Sequence, residues 1–399
     1  MKSAAALGIA GAFCLLLIPA VRGRGQQPPG SGAQRQSALA FEQQGRLSDA
    51  EAAWKALLKT QPNDFGAYAH LGLLEARQEH YKQAIASYRK ALSLNPNMPA
   101  VELDLGLSLF KSGDLRGAIG AFTPLLKGAS GQSPERLRLV TLIGLAHFGL
   151  GDYAAAVPYL KEAAASDPEN LALRMTLAQS CLSSKQYQCV LDVYREILTI
   201  NPDSAEADVL AGEAYDELKN EAGALQEFQA AVKADPKLPN VHFGYGYLLW
   251  KASRYSDAAE EFKAELAENP NHAMALAYLG DADVKLNHSG EALPYLEHAV
   301  QLEPALAIAH LDLGIVNEDR GQKAEAMREY NTAEKLTPND PVVHWHLGRL
   351  YRSMGKTAEA KAEFEKTQHL QNVKQQSLRE QMHQVESGPA VQPGDAQTK

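Results

Sequence analysis

Residues 273–306 read AMALAYLGDADVKLNHSGEALPYLEHAVQLEPAL, and this stretch decides the fold. The small residues Gly280 and Ala292 stand twelve positions apart, and the large Leu296 follows four positions after the alanine. Apolar residues recur at helical spacing before and after Gly280, and a polar break precedes a second apolar run. Pro304 closes the stretch, because proline cannot continue a helix and biases the preceding residue towards extended backbone. The pattern predicts two helices joined by a turn.

The same pattern recurs along the chain every 34 residues, apart from one interval of 38 residues. Its small residues are Gly72, Gly106, Gly144, Ala178, Gly212, Gly246, Gly280, Gly314 and Gly348. Because glycine inside a helix costs about 1 kcal/mol relative to alanine, its repetition at one phase indicates close packing between helices. The four extra residues lie between Phe122 and Pro134, where KGASGQSPE (127–135) predicts a surface loop. Asp114 and Asp152 lie in polar breaks where each can cap a new helix.

The small-residue pair, the large residue after it and the closing proline resemble the tetratricopeptide repeat, at that repeat's own period. The resemblance implies an all-α fold, a right-handed superhelical solenoid of antiparallel helix hairpins with a C-terminal capping helix. Ten units can be counted, from 31–64 to 341–374. The first is degraded, with Ala38 at the glycine phase, although Ala50 and Trp54 hold their places.

Outside the repeats, the N-terminus resembles an export signal. Lys2 precedes the uncharged run Ala4–Ala20, and a polar stretch follows. An uncleaved membrane anchor is the competing interpretation, because the run is of borderline length. The expected plan is a signal peptide or anchor at 1–22, a flexible linker at 23–36 and about ten units at 37–374, followed by a capping helix at 375–386 and a disordered tail at 387–399. Val373 is expected on the apolar face of that capping segment.

Composition and motifs argue against catalysis and nucleic-acid binding. The net charge is −9, with no basic block to match a phosphate backbone. No Walker loop, nucleophile elbow, dinucleotide fingerprint or zincin helix is present, so no catalytic residue and no cofactor are predicted. His242, His310 and His344 share one repeat position, which indicates a packing site between hairpins and not a metal site. A membrane contact is expected only through an uncleaved N-terminal segment.

Two cysteines remain beyond the N-terminal run, Cys181 and Cys189, eight residues apart on opposite sides of a predicted hairpin turn. Their Cβ atoms can approach bonding range, and a disulfide is credible in an oxidising compartment. Two buried structural thiols are the equal alternative. Exported protein, periplasmic or secreted, is the expected location, with an inner-membrane anchor facing the periplasm as the alternative.

In the tetratricopeptide family the first helices line a concave groove where ligands bind. The resemblance places the groove positions three before, one after and four after each small residue. The early groove is then mainly apolar, with Leu73, Leu103, Leu107, Phe110, Leu145, Phe148, Met175 and Leu182. The later groove is aromatic and charged, with Glu213, Asp216, Phe243, Tyr247, Trp250, Asp281, Glu318, Trp345, Arg349 and Arg352.

These positions favour a non-catalytic scaffold that binds partner peptides or proteins in the groove, because aromatic anchors dominate interface energetics. For the early leucines, packing against neighbouring hairpins is an equally good explanation. Two other functions stay open: an accessory or targeting subunit of a separately encoded envelope enzyme, and a chaperone or carrier for apolar ligands.

Overall fold

A computed structural model describes residues 31–131 and 133–386. The predicted signal peptide or anchor, linker residues 23–30 and the predicted tail from residue 387 lie outside this part. The described residues form twenty α-helices and no strand, paired as ten antiparallel hairpins in two compact units that divide after Pro202. The predicted all-α stack of hairpins is confirmed. No helix in the described part is both long and apolar enough to cross a membrane.

Each unit contains five hairpins, and the two helices of a hairpin are of similar length except in the last hairpin, where the first helix has 13 residues and the second has 30. Unit 1 consists of α1 (Ser31–Gln43), α2 (Leu47–Thr60), α3 (Phe65–Arg77), α4 (Tyr81–Leu94), α5 (Pro99–Lys111), α6 (Leu115–Gly128), α7 (Pro134–Leu150), α8 (Tyr153–Ser166), α9 (Leu171–Ser183) and α10 (Tyr187–Ile200). Unit 2 consists of α11 (Ala205–Glu217), α12 (Glu221–Ala234), α13 (Val241–Lys251), α14 (Tyr255–Glu268), α15 (Ala273–Lys285), α16 (Ser289–Leu302), α17 (Ala307–Asp319), α18 (Lys323–Leu336), α19 (Pro341–Ser353) and α20 (Thr357–Glu386).

In eight hairpins a glycine of the first helix lies directly against the large side chain of the second helix. A Cβ added to Gly72 would come within 2.7 Å of the Tyr88 ring, and one added to Gly348 would come equally close to the ring of Phe364. Real Cβ atoms essentially never come that close, so the helices can approach this far only where a side chain is missing. The same contact joins Gly106 to Phe122, Gly144 to Leu160, Gly212 to Phe228, Gly246 to Phe262, Gly280 to Leu296 and Gly314 to Tyr330. The packing demand inferred from the sequence is confirmed.

Helix ends follow the expected chemistry only in part. Asp114 caps α6, since its carboxylate accepts a hydrogen bond of 2.9 Å from the backbone N–H of Gly117. Asp152 precedes α8 but its side chain makes no cap hydrogen bond there. Its carboxylate lies 3.7 Å from Nδ1 of His147 instead, so the cap predicted at Asp152 is wrong.

The four-residue insertion lengthens a helix more than it lengthens a loop. α7 has 17 residues, whereas α5 has 13, and it begins at Pro134. Ser133 caps α7 by accepting a 3.2 Å hydrogen bond from the N–H of Arg136, and proline suits the first helical position. Pro134 and Glu135, predicted to be part of the loop, therefore start the helix.

Both predicted boundaries of the array shift in the structure. Residues 31–36, expected in the flexible linker, form the beginning of α1. Residues 375–386 continue α20 without a turn, because no proline or glycine interrupts the sequence after Thr357. Val373 is 51% exposed, so this part of the extension does not cover the last hairpin as expected.

A disulfide joins Cys181 near the end of α9 to Cys189 in the first turn of α10, with Cα atoms 5.8 Å apart. The two residues are eight positions apart and face each other across the turn of the fifth hairpin. Closing so short a loop restricts the unfolded chain and stabilises the hairpin by about 2–3 kcal/mol on the chain-entropy model.

We predict that Gly106→Ala destabilises the protein by about 1–3 kcal/mol, because the new methyl group overlaps the Phe122 ring. Gly120→Ala in the same hairpin is the matched control. Nothing lies within 4 Å of a Cβ at Gly120, so this change stabilises α6 by about 1 kcal/mol. Denaturant unfolding followed by circular dichroism measures both. Equal effects of the two substitutions would show that the glycine contact does not limit helix approach.

Reduction of the disulfide provides a second test. Dithiothreitol is expected to lower the unfolding free energy of the wild type by about 2–3 kcal/mol, because the fifth hairpin loses its covalent closure. The double variant Cys181→Ala, Cys189→Ala should respond to denaturant identically with and without the reductant. A wild type that is indifferent to dithiothreitol would contradict the stabilising role.

Candidate functional site

From α13 to α19 the first helices of consecutive hairpins contact each other, so their side chains form a continuous layer in this part of unit 2. In unit 2, α15 contacts both α13 and α17, and α17 contacts α19. The aromatic and basic groove residues predicted in this unit lie on two of these helices: Phe243, Tyr247 and Trp250 on α13, and Trp345, Arg349 and Arg352 on α19. Of the acidic ones, Glu213 and Asp216 lie on α11, Asp281 on α15 and Glu318 on α17.

An aromatic cluster joins α13 to α15. The rings of Tyr247 and Trp250 stack with centroids 6.0 Å apart, and Tyr278 meets their edges at 5.4 and 5.0 Å. The indole N–H of Trp250 donates a 2.5 Å hydrogen bond to Oδ2 of Asp281. All three aromatic side chains are half-buried. Tyr278 was missed from the sequence, because it stands two residues before Gly280, outside the groove positions taken from the family.

Phe243 belongs to the packing of unit 2 more than to an open surface. It contacts the ring of Phe262 on α14 at 5.9 Å and the ring of His272 at 4.8 Å, as well as Tyr278 at 6.1 Å. These neighbours come from α14, from α15 and from the residue that precedes α15. Like Tyr247 and Trp250, Phe243 is half-buried.

On α19 an aromatic side chain is open to solvent. Trp345 is 42% exposed, and the Arg349 guanidinium lies over its ring at 4.8 Å from the centroid. Val342, three residues before Trp345 and therefore on the same helix face, is 47% exposed. We call these three side chains the α19 face. Val342 was missed from the sequence because it precedes the positions assigned to the groove.

Arg352 does not join the α19 face. Its guanidinium lies 5.5 Å from the ring centroid of Phe364 on α20. Together with Thr357, Ala360 and Gln368 it lines an open hollow at the last hairpin. The guanidinium of Arg352 therefore packs on Phe364, whereas that of Arg349 packs on Trp345.

A polar network holds the α19 face from behind. The Tyr330 hydroxyl donates a 2.9 Å hydrogen bond to Glu318, and Glu318 lies 3.7 Å from the Arg349 guanidinium. Nδ1 of His346 lies 3.3 Å from the same hydroxyl. Burial, together with the positive charge of Arg349, lowers the pKa of His346 to about 4, so this ring is neutral at pH 7.

Charged side chains also tie neighbouring first helices together. Lys251 on α13 bonds Asp216 on α11 at 2.5 Å. The Trp250–Asp281 bond links α13 to α15, and the Arg349–Glu318 pair links α17 to α19. The layer is therefore held by its own polar contacts as well as by apolar packing.

The first helices of unit 1 present less open apolar surface than expected. Leu73 and Leu103 are buried between helices. Phe110 is half-buried against the core, and Phe148 packs edge-on against Tyr153 with ring centroids 5.6 Å apart. Packing between helices accounts for much of this leucine-rich set.

The shared histidine position joins the two helices of one hairpin, and at His310 and His344 it also contacts the turn from the preceding hairpin, where Nε2 lies 2.9 Å from the carbonyl oxygens of Pro304 and Pro338. Nδ1 of His242, His310 and His344 lies 2.6–2.7 Å from Glu261, Glu329 and Glu363, each on the following helix. His344 is also 3.9 Å from Glu334. The Lys366 ammonium lies 2.8 Å from Glu363 and 3.5 Å from Glu334, so it already balances this acidic cluster.

Family models of the tetratricopeptide repeat match most of the chain. A tetratricopeptide repeat model matches residues 35–99, 103–170, 141–205, 186–239, 243–282 and 279–341, and a second such model matches 342–367. No curated protein matches the chain.

Several solved structures are similar. A tetratricopeptide repeat protein from Parabacteroides merdae is 17% identical, with 68% of this chain and 98% of that chain covered and a TM-score of 0.46. MamA from Desulfovibrio magneticus is 24% identical, covering 42% and 96%, with a TM-score of 0.38. YrrB, described as a tetratricopeptide protein with an unusual peptide-binding site, is 20% identical, covering 47% and 97%, also with a TM-score of 0.38.

The lowered pKa of the buried His346 predicts that the protein becomes less stable at acidic pH. Its folded pKa is depressed to about 4 from an ordinary value of 6.5, so its contribution to stability is complete above pH 6.5 and is lost as the pH falls through about 4. That contribution amounts to at most about 3 kcal/mol. Denaturant unfolding across this pH range should show a shallower loss of stability for His346→Gln than for the wild type. Superimposable pH profiles would contradict the prediction.

Proposed function

This chain belongs to the tetratricopeptide repeat family, and from that premise we propose that it is a non-catalytic scaffold whose first helices in unit 2 bind a segment of a partner protein. The observation that carries the proposal is the α19 face. There an indole open to solvent is stacked by a guanidinium and flanked by an exposed valine.

The chemistry of the α19 face suits protein recognition. Tryptophan and arginine are the residue types most enriched among the side chains that dominate binding energy. Trp345 and Val342 offer apolar area, while Arg349 offers donors for a carboxylate or a backbone carbonyl. The Glu318 and Tyr330 contacts behind the face hold Arg349 in place, which reduces the entropy lost on binding.

The aromatic cluster of Tyr247, Trp250 and Tyr278 extends the proposed surface along the same layer of first helices. Its rings are half-buried, so they offer edges and not whole faces to a partner. Asp281 accepts a hydrogen bond from the indole N–H of Trp250, which fixes the orientation of the indole ring. We place the principal anchor at Trp345 and a secondary contact at this cluster.

Export from the cytoplasm is part of the same proposal. The Cys181–Cys189 disulfide suits an oxidising compartment, and the N-terminal run suits a signal peptide or membrane anchor. N-terminal sequencing of the protein from its native host distinguishes a cleaved leader from a retained anchor. Protein found reduced in the cytoplasm with its leader intact would contradict export.

Crosslinking and pull-down from the native host, followed by binding of each purified partner, tests the function. Trp345→Ala should weaken partner binding by about 30-fold or more, because the loss of a dominant anchor residue costs about 2 kcal/mol or more of binding free energy. Leu302→Ala is the matched control, because Leu302 is also an exposed apolar residue but lies on the second helix α16.

Circular dichroism should show that both variants are folded. Equal loss of binding in Trp345→Ala and Leu302→Ala, or no loss in either, would contradict a partner site on the α19 face.

A further inference from the structure

Three potential metal ligands converge at the tip of the eighth hairpin. Asp283 lies in the last turn of α15, His288 immediately precedes α16, and Glu291 lies in its first turn. One ligand atom from each side chain lies within 4.8 Å of the other two. Asp283 is buried, whereas His288 and Glu291 are exposed, so the cluster is buried on one side and open to solvent on the other.

The fifth hairpin shows that the hairpin fold brings the positions of Asp283 and Glu291 close together. Asp283 and Glu291 stand three and eleven residues after the small residue Gly280, and Cys181 and Cys189 stand at the same distances after Ala178. In the fifth hairpin the pair forms a disulfide. In the eighth hairpin the equivalent positions carry two carboxylates, which repel each other unless a positive charge lies between them.

Asp283 lacks the partner that its burial requires. The residue is only 3% exposed, and its buried Oδ2 atom has no hydrogen-bond donor among the described residues. Its Oδ1 atom lies 3.9 Å from Nδ1 of His288, which is too far for a hydrogen bond. Burial and the neighbouring Glu291 raise the pKa of Asp283, while Lys263 and His288 oppose that shift. A buried carboxylate oxygen without a partner is costly, and a bound cation removes that cost.

We propose that Asp283, His288 and Glu291 bind a divalent transition-metal cation of the Zn²⁺ class. One imidazole nitrogen and two carboxylate oxygens form a ligand set that suits zinc, at distances of about 2.0–2.2 Å. Binding draws the three side chains closer than their present separation. It releases whatever protons they carry, because each ligand binds the metal in its deprotonated form.

The proposed cation holds the tip of the eighth hairpin as the disulfide holds the tip of the fifth. It joins the end of α15 to the start of α16, the two elements that carry the ligands. Three protein ligands leave at least one position for water or for an outside ligand on the solvent side. The site lies at the hairpin turn and shares no residue with the α19 face, so it does not depend on the proposed partner site.

Titration of the untagged full-length chain with Zn²⁺, followed by calorimetry, tests the proposal, with the cobalt absorption spectrum after Co²⁺ substitution reporting the ligands. The wild type should bind one cation at this site. Asp283→Asn and His288→Gln should each weaken zinc binding more than about tenfold. Loss of a residue that only supports a metal ligand already costs about tenfold in affinity, and these two residues are proposed as ligands themselves.

Glu325→Gln provides the matched control. Glu325 occupies the Glu291 position one repeat later, where Asn317 stands in place of Asp283. Its substitution should leave zinc affinity unchanged. Equal affinity in the wild type, Asp283→Asn and His288→Gln would place the bound metal elsewhere and overturn the proposal, as would a wild type that binds no zinc.

Thermal unfolding with and without Zn²⁺ separates metal binding from folding. Asp283→Asn removes a buried charge, so the metal-free variant should be at least as stable as the wild type. Zinc should raise the melting temperature of the wild type by a few degrees and leave that of Asp283→Asn unchanged. An identical zinc-induced shift in both proteins would contradict the assignment.

Discussion

The contact between one small residue of the first helix and one large side chain of the second helix sets the structure of each hairpin. Eight glycines make this contact at the same phase, each against an aromatic ring or a leucine. A side chain on the glycine would push the helices apart, and a smaller partner would leave a cavity. The contact thus fixes the distance between the two helices of a hairpin.

The first helices of unit 2 form a layer, and side chains from different hairpins meet on its surface. In unit 2 these side chains are linked by Lys251 with Asp216, Trp250 with Asp281 and Arg349 with Glu318. Such contacts hold aromatic and charged groups in defined positions before a partner arrives, which favours binding. The hairpin tips, by contrast, differ from one repeat to the next. Cysteines occupy one tip and carboxylates with a histidine occupy another, so each tip can carry its own stabilising device.

The repeat made the fold predictable from the sequence, because the small residue, the large residue and the proline recur in phase and each has a single physical reason. The functional surface was less predictable. Trp250, Phe243 and Trp345 look alike as aromatic residues at groove positions. Contacts with α14 and α15 half-bury Phe243, and Asp281 accepts a hydrogen bond from the indole of Trp250. Only the structure shows that Trp345 is the exposed one of the three. The histidines at one repeat position pair with glutamates nineteen residues later, a spacing that reflects the hairpin geometry and no local motif.

A double-mutant cycle on Gly106 and Phe122 tests the central contact most directly. Phe122→Ala removes the ring that the methyl group of Gly106→Ala overlaps, so the double variant should be more stable than the sum of the single effects allows. We expect a coupling free energy of about 0.5–3 kcal/mol in denaturant unfolding. Strictly additive effects would show that the glycine and the ring do not limit each other, and would contradict the account of how these hairpins are built.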